Sequence, residues 1–75
     1  MSSLADTPTD RWVCVSSVRG ERAFRRRLLE MGLVPGTSVR VVGVAPLGDP
    51  MQLQLRGGKL SLRRAEAAGI EVLAT

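Results

Sequence analysis

The sequence predicts a small, mainly β fold of about five short strands with one amphipathic helix. Apolar and polar residues alternate over residues 51–55, which is the period of two expected of a half-buried strand. Valine is dense over residues 39–44, and β-branched residues favour strands. Glycine and proline separate these segments at short intervals, which indicates tight turns.

The chain is short enough for a single domain. Its 75 residues lie below the length at which chains usually divide into two domains. The first ten residues are mainly small and polar, so we expect a flexible leader over residues 1–10. The remaining residues, 11–75, are expected to form the domain.

The helix is predicted directly after the first strand. Residues 12–15 are a short apolar run suited to that strand. Within residues 21–31, Phe24, Leu28 and Met31 recur at the spacing of one helical face. This face is therefore predicted to pack on the sheet.

Two turn signals follow the helix. Gly32 occupies the position at which a left-handed residue commonly ends a helix. Pro35 and Gly36 are the second and third residues of a four-residue turn, the type II preference. The valine-rich central strand begins after this turn.

The second half of the chain predicts a hairpin and a last strand. Gly57 and Gly58 are predicted to form a two-residue turn after the alternating strand. Residues 63–68 indicate a short helical turn, and residues 70–73 a final strand. Strands this short fit a closed or nearly closed barrel better than an open sheet with exposed edges. The SH3-like barrel is the architecture that matches best.

The charge and the apolar segments limit the classes of function. Eleven basic residues outnumber seven acidic ones, for a formal charge of +4, which favours anionic partners: nucleic acid, lipid headgroups or an acidic protein face. The longest apolar stretches are too short for a membrane span, and the amino terminus lacks a signal-peptide pattern. Cys14 is the single cysteine, and we expect it to be a buried small hydrophobe in a cytoplasmic protein.

The sequence offers no chemistry for catalysis or for tight metal binding. It contains no histidine, so no serine or cysteine has an imidazole to activate it as a nucleophile. Ferrous iron and zinc favour imidazole and thiolate ligands, and only one cysteine is present. We therefore predict a non-enzyme without a cofactor or a metal site.

The helix carries a basic surface with one apolar residue that its periodicity does not explain. Arg22, Arg25 and Arg26 lie away from the apolar face, and they form either a solvated face or an electrostatic contact with an acidic partner or phosphate. Leu29 also lies off the apolar face. It either packs against the barrel rim or provides an exposed contact for a partner.

The loop before the alternating strand is a second candidate contact. It runs through Pro46, Leu47, Gly48 and Asp49 to a second proline at position 50. The loop is either a rigid turn or a pre-ordered tip that presents Leu47 beside an acid.

Nucleic-acid binding is disfavoured by the scarcity of aromatic rings. Small barrels that bind nucleic acid usually stack bases on aromatic side chains. Trp12 and Phe24 are the only two rings, and both are expected to be packed.

Three segments in register resemble the FeoA family of bacterial ferrous-iron uptake proteins. Residues 27–36, with the sequence RLLEMGLVPG, are similar to the family's helix end and turn. Residues 44–50, VAPLGDP, are similar to its loop between central strands, and residues 60–67, LSLRRAEA, to its last hairpin strand and following turn. Together with their spacing, these segments cover most of residues 11–72.

The resemblance implies a function and a partner. It implies an SH3-like accessory protein that works with FeoB, a large membrane transporter with a cytosolic GTP-binding domain. Such a protein would be cytoplasmic and would reach the inner membrane through its partner. The alternative is a free-standing adaptor or nucleic-acid-binding barrel that uses the basic helix face.

Overall fold

The structure is a computed structural model that describes residues 2–74. In chain order its elements are β1 (Ser2–Ser3), a 3-10 turn (Leu4–Asp6), β2 (Trp12–Val18), α1 (Arg22–Glu30), β3 (Ser38–Val44), β4 (Met51–Leu55), β5 (Gly58–Leu62), α2 (Arg64–Ala67) and β6 (Ile70–Ala74). The strands form one antiparallel sheet in the order β1-β6-β2-β3-β4-β5. The prediction of a mainly β fold with one amphipathic helix and a short helical turn is confirmed, with β1 as an additional strand.

The core lies on one face of this sheet. Met51 and Leu53 are buried while Gln52 between them is exposed, so the predicted alternation of β4 is confirmed. Every strand except β1, both helices, the 3-10 turn and the segment after α1 contribute residues to the core. They are Leu4, Ala5, Val13, Val15, Leu28, Leu33, Val39, Val41, Met51, Leu53, Leu62, Ala67, Ile70 and Val72.

The residues that end α1 behave as the sequence predicts. Gly32 has a φ of +98°, and its N–H donates to the Leu29 carbonyl at 3.1 Å, while the Leu33 N–H donates to Leu28 at 3.0 Å. This pair of hydrogen bonds defines a Schellman motif, in which a left-handed residue satisfies the last helical carbonyls. Met31 differs from its prediction: it follows the helix and is 37% exposed.

The turn after α1 also matches its prediction. The Thr37 N–H donates to the Val34 carbonyl at 3.0 Å, and Gly36 has a φ of +95°. The Gly36 N–H donates in turn to the Val15 carbonyl at 2.7 Å. The turn is therefore fixed to strand β2.

The hairpin turn between β4 and β5 lies one residue earlier than predicted. Leu55 pairs with Gly58, so the two loop residues are Arg56 and Gly57. Gly58 instead begins β5, because the cross-strand pairing decides the register.

Helix α1 is seated on the sheet through Phe24. This ring packs against the core and lies where two glycines leave room for it. A Cβ on Gly20 would lie 2.9 Å from Phe24 Cδ2, and one on Gly69 would lie 3.5 Å from Phe24 Cε2 and 3.3 Å from the Arg19 carbonyl oxygen.

The prediction of a flexible leader over residues 1–10 is wrong for residues 2–5, which belong to the sheet and the core. Met1 lies outside the described residues. Strand β1 pairs with β6 through Ser2–Val72 and Ser3–Glu71. Leu4 is 0% exposed and Ala5 is also buried. These two apolar residues cover the core next to β6. The mainly polar composition of residues 1–10 gives no indication that they are buried.

The buried position of Leu4 predicts a large effect on stability. Replacing Leu4 with Ala should lower the free energy of unfolding by about 2–5 kcal/mol, the usual cost of truncating a fully buried leucine. Urea denaturation followed by circular dichroism would measure this loss. The exposed Pro8→Ala variant is the control and should change stability by less than about 0.5 kcal/mol. Equal stability of the two variants would contradict the structural role of residues 2–7.

Candidate partner-binding surfaces

A groove runs along one face of α1, and we call it the arginine groove. Its volume is about 390 Å³. The helix contributes four residues at the spacing i, i+3, i+4 and i+7, which places them on one face. The lining residues are Ser17, Val18, Arg22, Arg25, Arg26, Leu29 and Pro35.

The groove follows from how the helix is oriented. Leu28 is fully buried and Phe24 packs inward. The face about 130° away lines the groove together with the end of β2. Val18 and Pro35 form an apolar floor there, on strand β2 and on the turn after the helix. The sequence did not predict Val18 and Pro35 as groove residues, because neither belongs to α1 and helical periodicity therefore does not place them.

Leu29 is 43% exposed and lines this groove. The sequence left two interpretations open, packing against the barrel rim and an exposed contact for a partner. The partial exposure of Leu29 is compatible with either, and its role as a contact stays a prediction.

The groove is electrostatically one-sided. Within residues 2–74, its lining includes three guanidinium groups and no carboxylate. The ion pairs between described residues are Arg19–Glu71 and Arg27–Glu66, and neither involves a groove arginine. The positive charge of the groove is thus not neutralised by these contacts.

The loop tip, residues 46–49, is both ordered and prominent. Leu47 is 97% exposed. The Gly48 N–H donates to the Ala45 carbonyl at 2.7 Å, and the Ala45 N–H donates to the Pro50 carbonyl at 3.1 Å. These hydrogen bonds close the loop at its base, so Leu47 projects from an ordered turn.

Arg64 connects this loop tip to the rest of the barrel. Its Nε donates to the Gly48 carbonyl at 3.1 Å and its Nη1 to the Ala5 carbonyl at 2.7 Å. The backbone N–H of Arg64 donates to Asp49 Oδ1 at 3.0 Å. Asp49, predicted as a contact residue, therefore has a structural partner at the start of α2.

The structure places the predicted contact residues on two surfaces. Arg22, Arg25, Arg26 and Leu29 come together in the arginine groove, and Pro46, Leu47, Gly48 and Asp49 form the loop tip. No loop-tip residue lines the groove. The loop tip is joined to α1 only indirectly, since Arg27 pairs with Glu66 of α2 and Arg64 of α2 holds the loop.

Two single residues differ from their predictions. Trp12 was expected to be packed but is 40% exposed, with the Arg40 guanidinium carbon 5.4 Å from its ring centroid. Cys14 was expected to be buried but is only half-buried. Both lie on the outward face of β2, where period-two alternation with buried Val13 and Val15 directs them.

Neither a metal cluster nor a spanning helix occurs in the described part of the chain. Within residues 2–74, no group of three or more His, Cys, Asp or Glu side chains is placed to hold a metal ion. No helix in that range has the length and apolarity that crossing a membrane requires.

Together, the six-stranded sheet and the two short helices define a small, mainly β domain. Comparison with known proteins identifies its family. The FeoA domain family matches residues 2–74, and the chain belongs to the FeoA family, which is linked to ferrous iron transport.

The similar proteins agree with this assignment. The chain is 42% identical over 69 residues to an Fe(2+) transport protein A/Fe(2+) transporter FeoB fusion protein of Porphyromonas gingivalis, covering 92% of this chain and 8% of that protein. Among solved structures, the FeoA protein of Chlorobium tepidum is 42% identical with a TM-score of 0.89, covering 96% of this chain and 69% of that one. The FeoA of Stenotrophomonas maltophilia, solved with zinc and described as an SH3 domain protein, is 33% identical with a TM-score of 0.82, over 96% and 89%. The predicted SH3-like fold is thus confirmed.

The contacts of Arg64 predict that it orders the loop tip. Arg64→Ala removes two side-chain hydrogen bonds, so it should lower the free energy of unfolding by about 1 kcal/mol. It should also broaden or shift the amide resonances of residues 46–49 in NMR spectra. Arg56→Ala, which removes the same charge beyond the other end of β4, should leave these resonances in place. Unchanged loop resonances in Arg64→Ala would show that the loop is ordered without this side chain.

Proposed function

We propose that this chain is a non-enzymatic accessory protein of ferrous iron uptake that binds and modulates the cytosolic part of a FeoB-type transporter. The observation that carries the proposal is the arginine groove, an apolar floor rimmed by three arginines without a lining carboxylate. The fusion of an FeoA to a FeoB in the Porphyromonas gingivalis relative supports FeoB as the partner. Covalent linkage in one protein indicates that the two parts work at the same place.

The partner surface that fits this groove is acidic around an apolar centre. Leu29, Val18 and Pro35 would cover an apolar side chain, and the surrounding arginines would pair with carboxylates. Apolar contacts at the centre supply affinity, while charges at the rim mainly raise the association rate. The loop tip would provide a second contact through Leu47.

The residue types support a regulatory rather than a catalytic role. The chain has no histidine, so a nucleophile activated by imidazole is excluded. Any change in transporter activity would therefore come from binding. Binding to a cytosolic domain would also place the chain in the cytoplasm at the inner membrane.

Two leucine substitutions test the proposed surface. Leu29→Gln and Leu47→Gln should each weaken binding to a purified FeoB cytosolic domain in isothermal titration calorimetry. The free energy of unfolding should change by no more than about 0.5 kcal/mol, because both side chains are substantially exposed. A core control, Leu53→Ala, should lose about 2–5 kcal/mol of stability. If both glutamine variants melt like the core control, they are structural residues and the proposed surface is wrong.

A charge reversal tests the electrostatic part. Arg25→Glu should lower the association rate with the FeoB domain, and the difference from wild type should shrink as ionic strength rises. Arg11→Glu is the matched control, since it also changes the net charge by two units but does not line the groove. Stopped-flow or surface plasmon resonance measurements would separate association from dissociation.

The alternative, a nucleic-acid-binding barrel, is tested by measuring the binding of single-stranded oligonucleotides. Tight binding of single-stranded oligonucleotides that weakens steeply and uniformly with salt would support that alternative. Equal effects of the two arginine variants on FeoB association would contradict the role of the groove.

A further inference from the structure

Strand β5 forms one edge of the sheet. In the strand order it is terminal, and within residues 2–74 it pairs on one side only, with β4. Leu55 and Gly58 flank the two-residue loop, so their backbone groups form a hydrogen-bonded pair. Because hydrogen-bonded pairs alternate along an antiparallel ladder, Leu60 and Leu62 are also hydrogen-bonded to β4. The backbone N–H and C=O groups of Lys59 and Ser61 therefore point away from β4.

These outward groups have no partner of their own among the described residues. The backbone hydrogen bonds outside the helices and ladders include neither Lys59 nor Ser61. An edge with such groups is a template for an additional strand. Two donors and two acceptors are available there over three residues.

An apolar groove lies next to this edge, and we call it the hairpin groove. Its volume is about 480 Å³, and it is separate from the arginine groove. Leu55 and Leu60, both half-buried, and Met31 at the end of α1 line it. The backbone at Gly32 lies close to Leu55, since a Cβ on Gly32 would lie 3.7 Å from Leu55 Cδ1.

The charges around the hairpin groove select its occupant. Arg56 and Lys59 are the ionisable side chains that line it, and no carboxylate within residues 2–74 does so. A lysine on an edge strand opposes pairing with a second copy, because it brings like charges together. The same lysine and Arg56 attract an acidic segment.

We propose that β5 binds an extended acidic segment of a partner protein as an additional strand of the sheet. Backbone hydrogen bonds to Lys59 and Ser61 would hold the segment, and one apolar side chain would enter the hairpin groove. Main-chain bonds supply affinity in this mode of recognition, while the pocket and the charges supply specificity. This inference concerns a surface distinct from the arginine groove and does not depend on the proposed function.

The test uses a synthetic peptide of about eight residues, a typical strand length, in which glutamate alternates with valine and one central leucine. NMR titration of the full chain should shift the amides of residues 58–62 and of Met31. Hydrogen exchange at the Lys59 and Ser61 amides should slow by at least tenfold at saturation. The same peptide with methylated backbone nitrogens should bind at least tenfold more weakly, because it cannot donate to the edge.

Variants of the chain complete the test. Lys59→Glu should weaken binding of the peptide at least tenfold, whereas Arg63→Glu, an equal charge change outside the groove, should not. The proposal is overturned if the shifts fall on the arginine groove, if backbone methylation has no effect, or if the two variants bind equally. It is also overturned if the chain without peptide forms a dimer through β5, since a second copy would then be the occupant.

Discussion

The architecture depends on one contact, between the 3-10 turn that follows β1 and the helix α2 that follows β5. Leu4 and Ala67 are buried where they meet, and the Arg64 guanidinium donates to the Ala5 carbonyl across this junction. A chain of this size buries only about 60% of its unfolded surface, so the two core residues contributed by the first residues, Leu4 and Ala5, matter to its stability. The loop tip is held by the same arginine, which links its geometry to closure of the sheet.

The two sides of α1 serve folding and, in the proposed function, recognition of the partner. Phe24 and Leu28 face the core, while the arginines and Leu29 face the groove. Its nine residues are too few for a stable isolated helix, so tertiary packing must hold it. The groove therefore exists only in the folded protein, and the contacts on the opposite face set the positions of its arginines along the helix.

The sequence predicted those features that depend on local chemistry. Gly32 and Gly36 adopt left-handed conformations at the predicted turns because few other residues tolerate them, and the alternation in β4 directly reflects burial. The features that were missed depend on contacts between distant residues. Leu4 is apolar among polar neighbours, and only its proximity to β6 and α2 makes it a core residue. The groove likewise combines α1 with Val18 and Pro35, so the sequence predicted its helical residues but not its floor. Trp12 shows the opposite kind of error in a prediction from sequence. Its large side chain suggests burial, but the alternation along β2 directs it outward.

The small space around Phe24 has a consequence for interpreting genetic variation. Gly20 and Gly69 lie far apart in the sequence, yet both border the ring that seats α1. A methyl group at Gly20 would be strained by its φ of +117° and would press on the ring. Such a change would tilt the helix and displace the arginines on its far side without touching them. A variant that loses its partner can therefore carry its lesion at a position that no partner contacts, and mapping interaction defects onto the surface alone would misplace the binding site.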